Sequence, residues 1–141
     1  MKKILPLATA TLLLATFQAS AVENVSVGDL QHHRFVLVSV NGESAKNQDG
    51  RVPTIEFGEK MHVSGSMCNL FMGQGKLKNS ILTVKDLAST QMLCADDKLN
   101  KWDYLIGKVL ADGVKVTLKN QKLTLSHDNN TLVYKLKDYV Q

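Results

Sequence analysis

The chain has 141 residues, 44% of them apolar and 21% charged, with a formal charge of +4 and a pI near 9.1. That length fits one domain with a single core, and no stretch has linker composition. The basic pI is carried largely by dispersed lysine and does not point to nucleic acid.

Lys2 and Lys3 precede an apolar stretch, residues 4–17, that is too short and interrupted to anchor in a bilayer. Ala19-Ser20-Ala21 supplies the small-residue pattern of a signal-peptide cleavage site, so residues 1–21 read as an export leader and residues 22–141 as the mature domain. Two lysines leave with the leader, and the formal charge falls from +4 to +2. The short, lysine-led leader has a bacterial look and makes the periplasm the expected destination, with secretion the alternative. No cysteine stands at the cleavage point to receive lipid, and no second run of membrane length follows, so a soluble, non-lipidated protein is expected.

Residues 34–40 are rich in β-branched and aromatic side chains and end at the turn dipeptide Asn41-Gly42, which predicts a first strand. Residues 43–52 read as a loop. Residues 53–57 and 60–64 form strands around Gly58-Glu59, and 71–77 and 81–84 a second hairpin, in which Gly73 and Gly75 mark a bulge or a close backbone approach. From Asp96 the period becomes helical: Leu99, Trp102, Ile106, Val109 and Leu110 share one face, with Asp96 and Asp97 at the start and Gly113 at the end. Alternation then returns in three strands, Val114-Val116-Leu118, Leu123-Leu125 and Leu132-Tyr134-Leu136. The fold class is therefore α+β, mainly antiparallel β: a curled sheet or partial β-barrel with one amphipathic helix packed on or in it.

Cys68 and Cys94 are the only cysteines. In an exported small protein such a pair is expected to form a structural disulfide, and closing a loop of about 27 residues is worth on the order of 3.5 kcal/mol. There is no Cys-x-x-Cys and no fixed histidine partner that would argue for a reactive thiol. Met61, Met67, Met72 and Met92 crowd near these cysteines with His62; soft ligands suit copper, but methionine also fills irregular cores and the spacing matches no ligand motif. No metal, cofactor or catalytic residue is assigned. His32 and His33 would point to opposite faces of a strand, His127 sits in a polar turn, and no nucleophile, zinc or phosphate-loop motif occurs; the single acids Glu56, Glu59 and Asp86 cannot be placed together from sequence.

The order of these parts resembles the META domain family. The resemblance spans nearly the whole mature chain. It is carried by residues 31–37 (Gln-His-His-Arg-Phe-Val-Leu), Ser39-Val40-Asn41-Gly42, Phe57-Gly58-Glu59-Lys60-Met61, residues 64–69 (Ser-Gly-Ser-Met-Cys-Asn), Leu123-Thr124-Leu125 and Tyr134-Lys135-Leu136. Met67 stands where many members have glycine. The resemblance implies an envelope protein linked to heat shock and to tolerance of aminocoumarins such as novobiocin, with no established catalytic activity.

A monomer acting by binding is expected, its partner an envelope protein or a small apolar ligand. Asn69, Leu70 and Phe71, pinned by Cys68, form the candidate interaction loop; the competing reading makes Phe71 core and Asn69 a turn residue bonding its own backbone. Three classes remain open: a small-ligand or lipid-binding barrel, an interaction module such as an inhibitor of an envelope-directed enzyme, and a hydrolase or redox enzyme. An enclosed apolar cavity favours the first, an exposed apolar loop with a polar rim the second, and a cleft of close titratable groups the third. Lys115, Lys119, Lys122, Lys135 and Lys137 share the outer face of the last strands, where lysine guards against edge pairing; anionic lipid or an acidic partner is the alternative use of that face.

Overall fold

The structure is a computed structural model that describes residues 6, 8–14, 24–46 and 51–139. Ala19-Ser20-Ala21 and Val22, and with them the cleavage expectation, lie outside the described residues. No described helix is long and apolar enough to cross a membrane.

The elements follow one another as α1 (Val27–Leu30), β1 (His33–Val40), β2 (Glu43–Ser44), β3 (Thr54–Phe57), a 3-10 turn (Glu59–Met61), β4 (His62–Ser66), β5 (Leu70–Lys78), β6 (Ile81–Ser89), α2 (Asp97–Asp112), β7 (Val114–Lys119), β8 (Lys122–His127) and β9 (Asn130–Tyr139). Every strand pairing is antiparallel, and β1 pairs with β9, so β1-β3-β4-β5-β6-β7-β8-β9 close into an eight-stranded barrel with β2 as an added strand on β1. Closure removes the sheet edges that an open antiparallel sheet would leave unpaired. The partial barrel expected from the sequence is thus a closed one.

The alternation that marks each strand decides which side chains fill the interior. Phe35, Ile55, Phe57, Val63, Leu82, Val116, Leu123, Leu125, Leu132 and Tyr134 are all at most 1% exposed and form one cluster with the helix. Phe35 and Phe57 meet edge to face at 5.9 Å. Where the barrel is tightest the strands use glycine: a Cβ on Gly65 would collide with the Thr54 carbonyl and the Phe71 ring, and one on Gly75 with the Met61 carbonyl. Gly73 faces the expected irregularity, a register shift in the β5–β6 pair.

Helix α2 connects β6 to β7 and packs against β6. Its N-cap, Asp96, accepts from the Lys98 amide at 2.9 Å, and Gly113, at φ 102°, ends it by donating to the Val109 carbonyl. Leu99, Trp102, Ile106, Val109 and Leu110 are its buried face, as the periodicity predicts. The β6–β7 pairing beside it comprises only Ile81↔Lys115 and Leu82↔Val114, whereas β1 and β9 pair at seven positions.

Three local expectations are corrected. Residues 43–52 are not loop throughout, because the turn at Asn41-Gly42 returns the chain far enough for Glu43–Ser44 to pair with β1. β6 continues past Val84 to Ser89, held by β5 rather than by any apolar alternation of its own. His32 lies outside β1 in a left-handed conformation, φ 66°, which the sequence did not flag. Helix α1 is a further addition: the Asp29 carboxylate accepts from the Ser26 amide and hydroxyl, which holds its pKa below the usual value, and Leu30 enters the core.

Candidate functional site

The turn between β4 and β5 carries Met67, Cys68 and Asn69, and the segment between β6 and α2 carries residues 90–96. Cys68 and Cys94 join the two, with Cα atoms 5.9 Å apart. Both thiols are consumed by this bond, and the chain has no free cysteine.

Asn69 is the second tie. Its side-chain carbonyl accepts from the Met92 amide at 2.6 Å and from the Thr90 hydroxyl at 2.9 Å, while its amide group donates to the Met92 carbonyl at 3.1 Å and to the Asp103 carboxylate. Its backbone amide donates to Asp103 at 2.9 Å. One buried side chain therefore binds turn, crossing segment and helix α2 together. Cys94 is fixed in turn by Asn100, whose side chain accepts from the Cys94 amide and donates to its carbonyl.

These anchors decide what the segment shows to solvent. Asn69 and Phe71 are 5% and 3% exposed, so the expected interaction loop is corrected: Asn69 is a structural clamp and Phe71 is core. Leu70, 62% exposed, points outward, joined by Met72 on the same face of β5 and by Met92 and Leu93 in the crossing segment. Leu93, at 88%, is the most exposed of the four. Beside the disulfide lies an open cleft of about 430 Å³ lined by Arg51, Met67, Met92, Leu93, Ala95 and Leu99. The site is an apolar rim held rigid by a disulfide and a buried amide.

Of the four methionines, Met61 and Met67 are buried and Met72 and Met92 exposed, and only Met67 and Met92 line the cleft beside the disulfide. Among the described residues no three of His, Cys, Asp and Glu stand where they could hold a metal ion. Glu56 is ion-paired with Arg34 and borders a separate surface cleft with Glu59, His32 and His62; Asp86 does not line it. His127 ends β8 and faces Asp112 and Asp128 at 3.7 and 3.5 Å. The contributions of Asp103, Thr90 and the Met92 backbone were not legible, since each depends on a distant pairing that no local motif announces.

Comparison with known proteins places this architecture. The META domain family model matches residues 28–139. Heat shock protein HslJ of Escherichia coli (strain K12) is 47% identical over 138 residues, 98% of both chains. A protein solved by NMR is 52% identical and superposes with a TM-score of 0.75, covering 79% of this chain and 95% of its own. A second NMR structure, from Burkholderia xenovorans, has a TM-score of 0.63 over 85% of this chain at 24% identity, and shares the fold.

Proposed function

The chain belongs to the META domain family, and from that premise we propose that it is a stress protein of the bacterial envelope, acting by binding rather than turnover. Its exported domain is residues 22–141, and its work is done at the rim formed by Leu70, Met72, Met92 and Leu93. The heat-shock name of the E. coli relative supports the stress assignment. The disulfide, which persists in oxidising compartments, supports the envelope.

The carrying observation is that four large apolar side chains, each more than half exposed, are held on one rigid platform. Leaving such groups in water forgoes about 1.5–3 kcal/mol of burial apiece, so a fixed cluster of them marks an interaction surface. The barrel interior is filled by its own side chains, which favours the outer rim over a lumen as the place of binding. The partner is an envelope protein, and novobiocin tolerance is the trait through which its loss is read.

Complementation of a deletion strain under heat and novobiocin tests this. Leu70→Ser with Leu93→Ser should abolish rescue while circular dichroism and the disulfide stay intact. Alanine at His32, His62, His127 or Glu59 should leave rescue near normal. A single titratable residue whose replacement abolished rescue in a folded protein would replace binding with catalysis.

A further inference from the structure

Ten outward positions on β7, β8 and β9, from 115 to 137, hold only lysine, threonine, serine and valine, since their neighbours Val114, Val116, Leu123, Leu125, Leu132 and Tyr134 point inward. Within this acid-free face, Lys119 is the register partner of Lys122, and Lys122 of Lys135. Three ammonium groups thus stand side by side across three strands, where directly opposed like charges are destabilising. Among the described residues none of the three has an ion-pair partner. Beside them runs an open groove of about 420 Å³, with Val38, 46% exposed, and Val133 among its lining and Lys122 and Lys135 along it.

A row of uncompensated cations attracts anions, and an adjoining apolar groove selects anions that carry a hydrocarbon part. We infer that this face docks on anionic phospholipid bilayers, with phosphate headgroups against Lys119, Lys122 and Lys135 and the Val38–Val133 groove over the glycerol and upper acyl region. Charge complementarity commits the face to a lipid surface, because a free phosphate ion has no use for the valines. The surface lies on β7–β9 and is independent of the rim on β5.

The protein purified in its exported form is sedimented with phosphatidylcholine vesicles, with and without phosphatidylglycerol. Binding should require phosphatidylglycerol and weaken steeply at high salt, as expected for exposed charges. Lys122→Gln with Lys135→Gln should lower the partition constant roughly 25-fold, at about fivefold per lysine removed from a membrane surface. Lys101→Gln with Lys108→Gln on helix α2 removes the same charge and should leave the constant within about twofold. Val38→Ser should weaken vesicle binding while leaving thermal stability unchanged, which keeps the test decisive if the double lysine variant misfolds. Three results overturn the inference: no preference for phosphatidylglycerol, equal losses in the two double variants, or full displacement by inorganic phosphate at constant ionic strength, which would mark a simple anion site.

Discussion

Asn69 shows how one side chain can matter more to the site than the groups that solvent sees. Replacing it with alanine leaves the Met92 amide and the Asp103 carboxylate short of partners in a half-buried setting, a loss of about 2–3 kcal/mol. Asn69→Ala should therefore lower Tm by roughly 10 °C in calorimetry. Tyr134 behaves oppositely. Its ring is fully buried between Leu37 and Leu123, its hydroxyl has no hydrogen-bond partner among the described residues, and burial pushes its pKa above the ordinary value of 10.0. A raised folded-state pKa means that the unfolded chain ionises first, so this group's contribution to stability is intact below pH 10 and is lost as pH rises beyond it. Tyr134→Phe should match or exceed the parent in stability at neutral pH and should flatten the alkaline fall in Tm, measured by melts between neutral and strongly alkaline pH.

Among the elements, those with a strong internal period were readable and those defined by their neighbours were not. β7, β8 and β9 alternate cleanly, and α2 repeats Leu99, Trp102 and Ile106 between an acidic start and Gly113; pattern alone placed all four. β2 is two polar residues and the end of β6 is mixed, so only pairing with β1 and β5 makes them strands. At the site, the cysteine pair was visible as chemistry, whereas the inward aim of Asn69 and Phe71 depends on the register of β4 with β5 and on Asp103 one helix away. The tie between turn and crossing segment closes a separation of 26 residues. Opening it restores chain entropy worth about 3.5 kcal/mol. Melting the protein with and without reductant should show that loss. Because the Asn69 clamp persists, far-ultraviolet circular dichroism at 25 °C should change little.

In the whole molecule, the apolar rim and the lysine face are set apart by the barrel itself: β5 stands four strands from β9 in a cycle of eight, on the opposite side. A bilayer on one face leaves the other free. Intact mass of the envelope form should correspond to a chain starting at Val22 with no lipid increment; a lipid-sized addition would refute the unlipidated reading, and an uncut Met1 start the cleavage reading. Stability is distributed unevenly around the barrel, since β6 and β7 share two register pairs and β1 and β9 seven. Amide exchange followed by mass spectrometry should show Val114 and Lys115 opening well before Phe35 and Leu136. The β1–β9 seam has a further consequence in time rather than space. It unites the first strand of the domain with the last, so its contacts have the greatest sequence separation the chain allows, and contacts of that kind form late. On the export reading proposed above, a chain threaded through a membrane from its N-terminus presents β1 long before β9 arrives, and until then Phe35, Leu37 and their unpaired edge have no native cover. Secretion speed and holdase supply, more than the equilibrium stability of the finished barrel, should then govern yield during heat stress.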